Sequence, residues 1–196
     1  GRYATFLTNH DQNRVVSQMR GDYEGARRAA SLLLTLPGVP FVYYGEEIGM
    51  TGQKPDELIR TPMQWDDSRY AGFSAVAPWL PVQADSIWRN VADMAKDPRS
   101  FLTMVRRLIH LRRQSPALHA GEYYALDTTP AGVYAYIRAH GSERVLVALN
   151  FTGEAKTMLL PDSGTLLLNT HMDREGELTG GTLELRPDEG VVISLA

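Results

Sequence analysis

Apolar positions along the chain change their period more than once. Tyr3 to Thr8 is a short aromatic, β-branched and aliphatic run that stops at Asn9-His10-Asp11, the pattern of a buried strand feeding a polar loop. After Asp22, a capping residue type, Ala26, Ala29, Ala30, Leu33 and Leu34 recur at helical spacing until Pro37-Gly38 stops them. Val39 to Tyr44 reads as a second buried strand. Strand, helix and strand in such close succession predict a βαβ crossover with both strands parallel in one sheet. Asn9-His10-Asp11 and Gly45-Glu46-Glu47 then share the C-terminal strand edge, where α/β proteins bind ligands.

Residues 49–85 are rich in Gly, Pro, Trp and charge without periodicity, and a connection that long is expected to belong to a functional site. Asp97-Pro98 predicts a helix N-cap and first turn, followed by the apolar stripe Phe101, Met104, Val105, Leu108, Ile109 and Leu111 up to Pro116. From Gly121 the texture becomes short alternating runs such as Val133-Tyr134-Ala135-Tyr136-Ile137-Arg138. They are broken by His140-Gly141-Ser142, Pro161-Asp162-Ser163-Gly164 and Gly180-Gly181, as in an antiparallel β-sandwich. The expected class is therefore α/β plus all-β, with residues 1–116 forming the α/β segment and residues 117–196 the β domain.

Composition narrows the function classes. The 196 residues are 43% hydrophobic and 22% charged, enough for a sizeable core. A formal charge of −3 with no basic stripe argues against a nucleic-acid partner. There is no cysteine, hence no disulfide framework or thiolate metal site, and the compartment stays open between cytosol and secretion. No apolar run approaches the ~20 residues of a membrane span, so no membrane partner is expected. The start Gly1-Arg2-Tyr3-Ala4 carries neither Met nor a signal-peptide layout, from which a natural start further upstream is expected.

Asn9-His10-Asp11-Gln12-Asn13-Arg14 is the densest donor and acceptor cluster at a strand end. A carboxylate accepts from two neighbouring hydroxyls while imidazole and guanidinium donate, a set suited to polyhydroxyl ligands. A carboxylate there would also oppose the positive charge of an oxocarbenium-like transition state. The same triplet also fits an ordinary polar loop with a capping Asp. Trp65, Trp79, Tyr43, Tyr44 and Phe73 suit sugar stacking and core filling equally. His110, His119, His140 and His171 lack metal-ligand spacing, and no metal or cofactor site is expected in this chain.

The string Phe6-Leu7-Thr8-Asn9-His10-Asp11 resembles the fourth conserved region of the α-amylase superfamily, glycoside hydrolase family 13. The later string Gly38-Val39-Pro40-Phe41-Val42-Tyr43-Tyr44-Gly45-Glu46-Glu47-Ile48-Gly49-Met50 resembles that family's strand-eight signature. Arg60-Thr61-Pro62-Met63-Gln64-Trp65-Asp66 with Ala71-Gly72-Phe73-Ser74 resembles members acting on short α-glucosides: α-glucosidases, oligo-1,6-glucosidases and trehalose synthases. The helix around Leu108-Ile109-His110-Leu111-Arg112 and the run Val145-Leu146-Val147-Ala148-Leu149-Asn150-Phe151 are similar to the family's last barrel helix and C-terminal β domain. The resemblance thus spans nearly the whole chain and implies the C-terminal portion of a (β/α)8 barrel followed by an antiparallel β-sandwich. It implies that Asp11 is the third catalytic carboxylate, that His10 bonds the same sugar, that Arg60 recognises a terminal glucose and that Arg14 contacts the neighbouring subsite. The implied partner is an α-glucan or maltooligosaccharide. Calcium, which many members bind, has no matching acidic loop here.

Two departures bear on linkage. Asn13 stands where related glucosidases read Pro, and the loop from Met50 to Arg60 is shorter than in many oligo-1,6-glucosidases. Met50-Thr51-Gly52-Gln53-Lys54-Pro55 is similar to bacterial α-amylases, so α-amylase-type action on starch-derived oligosaccharides is expected ahead of oligo-1,6-glucosidase or trehalose synthase action. A retaining mechanism needs two further carboxylates about 5 Å apart, which this superfamily takes from barrel strands four and five. A whole barrel takes ~250 residues and eight strands, against two strand candidates here. The chain alone is therefore expected to be inactive and, with unpaired strand edges, to self-associate. The competing expectation is a non-catalytic carbohydrate-binding or assembly module.

Overall fold

The computed structural model describes residues 3–178 and 180–196. The strand–helix–strand unit forms as the sequence predicts. β1 (Ala4–Phe6) pairs in parallel with β2 (Val39–Phe41), Ala4 opposite Val39 and Phe6 opposite Phe41. Between them lie α1 (Val15–Gln18) and α2 (Tyr23–Thr35), the latter capped by Asp22, whose carboxylate accepts from Gly25 N–H at 2.8 Å. Both strands are shorter than the apolar runs suggest, and Phe6, Val39 and Phe41 are exposed rather than buried. The reason is topological: β1 and β2 make a sheet of two, so nothing covers their outer faces among the described residues.

The crossover is locked from the far side. Arg112 and Arg138 are both buried and donate to carbonyls: Arg112 to those of Leu34, Leu36 and Gly38, Arg138 to those of Thr35, Gly121 and Glu122. A helix C-terminus leaves its last carbonyls without intrahelical partners, and a cation is the favourable neighbour there. Two guanidiniums thereby fix where α2 stops and β2 begins, which fixes the loop that follows β2.

Short helical turns punctuate the next stretch: α3 (Asp56–Ile59), a 3-10 turn at Ala84–Ile87 and α4 (Val91–Met94). The long amphipathic helix is α5 (Phe101–Gln114), and α6 (Pro116–Ala120) follows with Pro in its first turn. The expected cap is displaced by three residues. Ser100, not Asp97, caps α5 by accepting from Thr103 N–H, while Asp97 accepts from Arg99 N–H in a separate turn. Asp-Pro is a good helix start in isolation, but the Asp97 carboxylate closes this tighter local turn first.

Among the described residues, eight antiparallel strands follow: β3 (Glu122–Ala125), β4 (Val133–His140), β5 (Glu143–Asn150), β6 (Lys156–Leu160), β7 (Gly164–Asn169), β8 (Gly176–Leu178), β9 (Gly181–Leu185) and β10 (Gly190–Leu195). Six form one sheet in the order β3-β4-β5-β10-β7-β8, and β6 pairs with β9 separately. Each face of the large sheet has its own core. Val145, Val147 and Leu149 of β5 pack with Ala26, Ala30, Met104, Leu108 and Leu118 from the helices. Leu146 and Ala148 pack with Met158, Leu160, Leu183 and Leu185 of the β6–β9 pair. A strand covered on both faces loses polar alternation, which explains the unbroken apolar run of β5. The helices and the β region therefore share one core across α2, α5 and the sheet.

Candidate active site

The cluster after β1 is shaped by short-range bonds. Asn9 Oδ1 accepts from Asp11 N–H at 2.9 Å and Gln12 N–H donates to the Asn9 carbonyl at 3.2 Å, a turn that turns the His10 and Asp11 side chains outward. Both are open to solvent, 65% and 62% exposed, with His10 Nε2 3.3 Å from Asp11 Oδ2. Arg60 arrives from 49 residues away: Nη2 donates to Asp11 Oδ1 at 3.0 Å and Nε to the His10 carbonyl at 2.8 Å. Asp56, a residue that the sequence did not single out, steadies the same nitrogen at 2.7 Å from one turn earlier. A hydrogen bond from Lys54, with Arg60 nearby, holds the Asp56 carboxyl below its usual range. His10, Asp11 and Arg60 thus converge at the C-terminal end of β1.

Arg14 lies elsewhere. It is fully buried, its guanidinium carbon 4.6 Å and 4.7 Å from the ring centres of Tyr43 and Tyr44, and Nη1 donates to the Tyr44 carbonyl at 2.6 Å. Among the described residues its Nε and Nη2 have no partner. Tyr43, whose hydroxyl donates to the Ile59 carbonyl, is pushed up to about 12 chiefly by burial. Gly45 makes this packing possible. Its φ is +81°, and a Cβ there would meet Met50 Sδ at 2.3 Å and Arg14 Nη1 at 3.2 Å. Asn13, at the departure from the related pattern, accepts from Lys54 N–H at 2.7 Å and so ties the first loop to the segment leading to Arg60.

The acidic pair after β2 divides. Glu46 is buried, accepts from the Thr8 hydroxyl and from Tyr43 N–H, and thereby links the two strand ends. Burial raises its pKa, and the Thr8, Tyr43 and Arg14 contacts only partly offset that. It is a loop anchor with its oxygens occupied. Glu47 is half-buried, and its Oε2 has no partner among the described residues.

A second surface adjoins Arg60. Trp65, Phe73, Trp79 and Tyr44 line an open cleft of about 400 Å³ together with Arg60 and Glu47. Among the described residues no three His, Asp or Glu side chains converge as metal ligands would, and no helix is long and apolar enough to cross a membrane.

A parallel strand pair with a polar cluster at its C-terminal edge, followed by an antiparallel β region, defines the class. Residues 1–121 match the family described as alpha amylase, catalytic domain, and the chain belongs to that family, glycoside hydrolase family 13. Residues 133–192 match the alpha-amylase SusG C-terminal domain. Among particular relatives, an oligo-1,6-glucosidase of Parageobacillus thermoglucosidasius is 32% identical over all of this chain and 43% of its own length. Alpha-amylase 3 of Dictyoglomus thermophilum is 36% identical over 75% of this chain and 30% of its own. The crystal structure of the trehalulose synthase MutB of Pseudomonas mesoacidophila MX-45 superposes with a TM-score of 0.87 at 30% identity, covering all of this chain and 43% of that one. An isomaltulose synthase mutant of Erwinia rhapontici NX5, solved in complex with D-glucose, gives 0.85 at 31% identity, again covering all of this chain and 43% of its own. The chain spans less than half the length of these relatives.

Proposed function

We propose that this chain supplies one wall of the sugar-binding site of a retaining hydrolase of α-glucosidic bonds. Residues 1–116 would belong to the catalytic barrel and 117–196 to its β domain. The observation that carries the reading is the convergence of Asp11, His10 and Arg60 at one strand end. Asp11 would accept from two adjacent hydroxyls of a glucosyl unit, His10 would donate to the same ring, and Arg60 would hold the Asp11 carboxylate aimed. Arg14, sealed between two tyrosines, would act through them by positioning the loop after β2 rather than by touching sugar. The D-glucose complex of the isomaltulose synthase relative supports a glucosyl ligand.

Glu46 is occupied as an anchor, so the nucleophile and the acid/base would come from other strands, and the 196 residues alone would not turn over. Starch-derived oligosaccharides and 1,6-linked α-glucosides are both within this reading. The oligo-1,6-glucosidase relatives support the 1,6-linkage, and the Dictyoglomus alpha-amylase supports the former. The uncovered faces of β1 and β2 would drive the isolated chain to self-associate.

The experiment compares release of p-nitrophenol from p-nitrophenyl α-glucoside and α-maltooligosides by this chain and by the longer product of its gene. The expected result is activity in the longer protein alone, lost on Asp11→Asn. Robust turnover by the 196 residues themselves would refute the division of labour proposed here.

A further inference from the structure

Arg112 and Arg138 carry more positive charge than their surroundings offset. A guanidinium has five N–H donors. Among the described residues three hydrogen bonds from each go to carbonyls, which leaves two donors on each uncommitted. The carbonyls of Leu34, Thr35 and Leu36 are consecutive, so both cations converge on the end of α2. A helix C-terminus supplies about half a unit of negative charge, against two full positive ones. No carboxylate among the described residues offsets the rest: the ionisable neighbours of Arg138 are Arg112, Tyr136 and Tyr3, and that of Arg112 is Tyr136. Burial lowers the pKa of both guanidiniums, and the charge of Arg112 lowers that of Arg138 further. The pair is nevertheless reachable. Arg112 and Arg138 line an open cavity of about 480 Å³ with Tyr3, Val39, Pro40 and His119. Gly38 shapes its wall, since its φ is +108° and a Cβ there would meet the Tyr3 ring at 3.0 Å, so the turn that aims its carbonyl at Arg112 requires glycine. The cavity lies where β1 and β2 begin, whereas Asp11 and Glu47 follow their ends.

We propose that this cavity is an anion site in which Arg112 and Arg138 take a phosphoryl group, as free phosphate or as a small phosphomonoester. Charge selects the class. A phosphomonoester carries about −1.5 to −2 at pH 7, which matches two guanidiniums that stay charged at any working pH, whereas a carboxylate leaves one cation over. Its oxygens are acceptors only, and guanidinium N–H groups are the donors that suit them. Val39 and Pro40 give the cavity an apolar side with room for a small organic body beyond the oxyanion. The ligand serves as a clamp. Arg112 belongs to α5 and Arg138 to β4, so an anion between them ties the β region to the turn from α2 into β2. Asp11, His10 and Arg60 take no part, and the inference stands whether or not they bind sugar.

The test is calorimetric titration and thermal melting of the 196-residue chain with sodium phosphate and, separately, with glycerol 2-phosphate, the ionic strength held constant with sodium chloride. Saturable binding at one site is expected, with a melting temperature that climbs about 3–5 °C for each tenfold rise in ligand beyond half-saturation. His119→Glu sets a carboxylate in the cavity wall and should weaken binding about tenfold or more, while the uncharged His119→Gln should stay within about threefold of wild type. His119 is exposed, so both variants keep the fold, which an unchanged far-UV spectrum verifies. Tighter binding of glycerol 2-phosphate would make the ligand a phosphomonoester, and tighter binding of phosphate would make it the free ion; both uphold the site. The absence of saturable heat from either, or equal affinity in wild type and His119→Glu, would overturn it. So would a melting temperature that rises linearly with phosphate and alike in both chains, which is the general effect of an excluded salt.

Discussion

Glu189 sits at the centre of the β region's charge network, and its neutralisation tests whether that network holds the region together. The side chain is fully buried. It accepts from Asn169 Nδ2 at 2.8 Å, from Arg174 Nε and Nη2 at 2.9 and 2.6 Å, and from Arg186 through the backbone N–H, Nε and Nη2. In Glu189→Gln the shape is kept, but an amide N–H₂ then faces guanidinium donors, Arg174 loses its counter-charge and Arg186 is left with Asp173 alone. Breaking a buried ion pair costs about 3–5 kcal/mol. Arg174 and Arg186 are about a third exposed and regain some hydration, which lowers the expectation to about 2–3 kcal/mol. For a chain of this size that is a fall in melting temperature of roughly 5–10 °C, and in urea a lower midpoint at unchanged slope.

The pH dependence carries a sign. Burial pushes the Glu189 carboxyl up, but hydrogen bonds from Arg186, Asn169 and Arg174 outweigh it and leave it below its usual range. Hydrogen bonds from Arg186 and Asn169 hold Asp173 lower still. A depressed folded-state carboxylate stabilises fully above its unfolded pKa of about 4 and loses that contribution as the pH falls through the folded value. The gap between wild type and Glu189→Gln should therefore be full at pH 7 and shrink below about pH 4. A gap under about 0.5 kcal/mol at pH 7, the scatter of ordinary surface substitutions, would refute the claim that this network is stabilising.

Two other outcomes are expected. Ser100→Ala should cost about 1 kcal/mol by loss of the α5 cap, and Asp97→Ala distinctly less, as measured by urea denaturation; the reverse order would reinstate Asp97 as the cap. Size-exclusion chromatography with light scattering should show concentration-dependent association of the isolated chain, weakened by Phe41→Ser on the open face of β2. A monomer at all micromolar concentrations would refute the self-association reading.

The strand–helix–strand order, the Asp22 cap, α5 and the antiparallel texture after Gly121 were legible in sequence because each depends on local period or a capping side chain. Asn9-His10-Asp11 was legible for the same reason, as a polar stop at the end of an apolar run. The pairing of Arg60 with Asp11 was not legible, since 49 residues separate them and no periodic signal spans that distance; resemblance implied only that Arg60 recognises a terminal glucose. Three matters were decided by tertiary structure alone. Arg14 reads as one more polar residue of its loop, yet the ring faces of Tyr43 and Tyr44 and the bare backbone of Gly45 enclose it. Glu46 and Glu47 are adjacent in sequence, yet one is spent on Thr8 and Tyr43 while the other keeps an oxygen without a partner among the described residues. Trp65, Phe73 and Trp79 could equally have filled a core, because hydrophobicity specifies that a ring prefers burial and not which partner covers it. Here the fold left them uncovered beside Arg60, since the loop's hydrogen bonds hold their backbone in place without burying the rings.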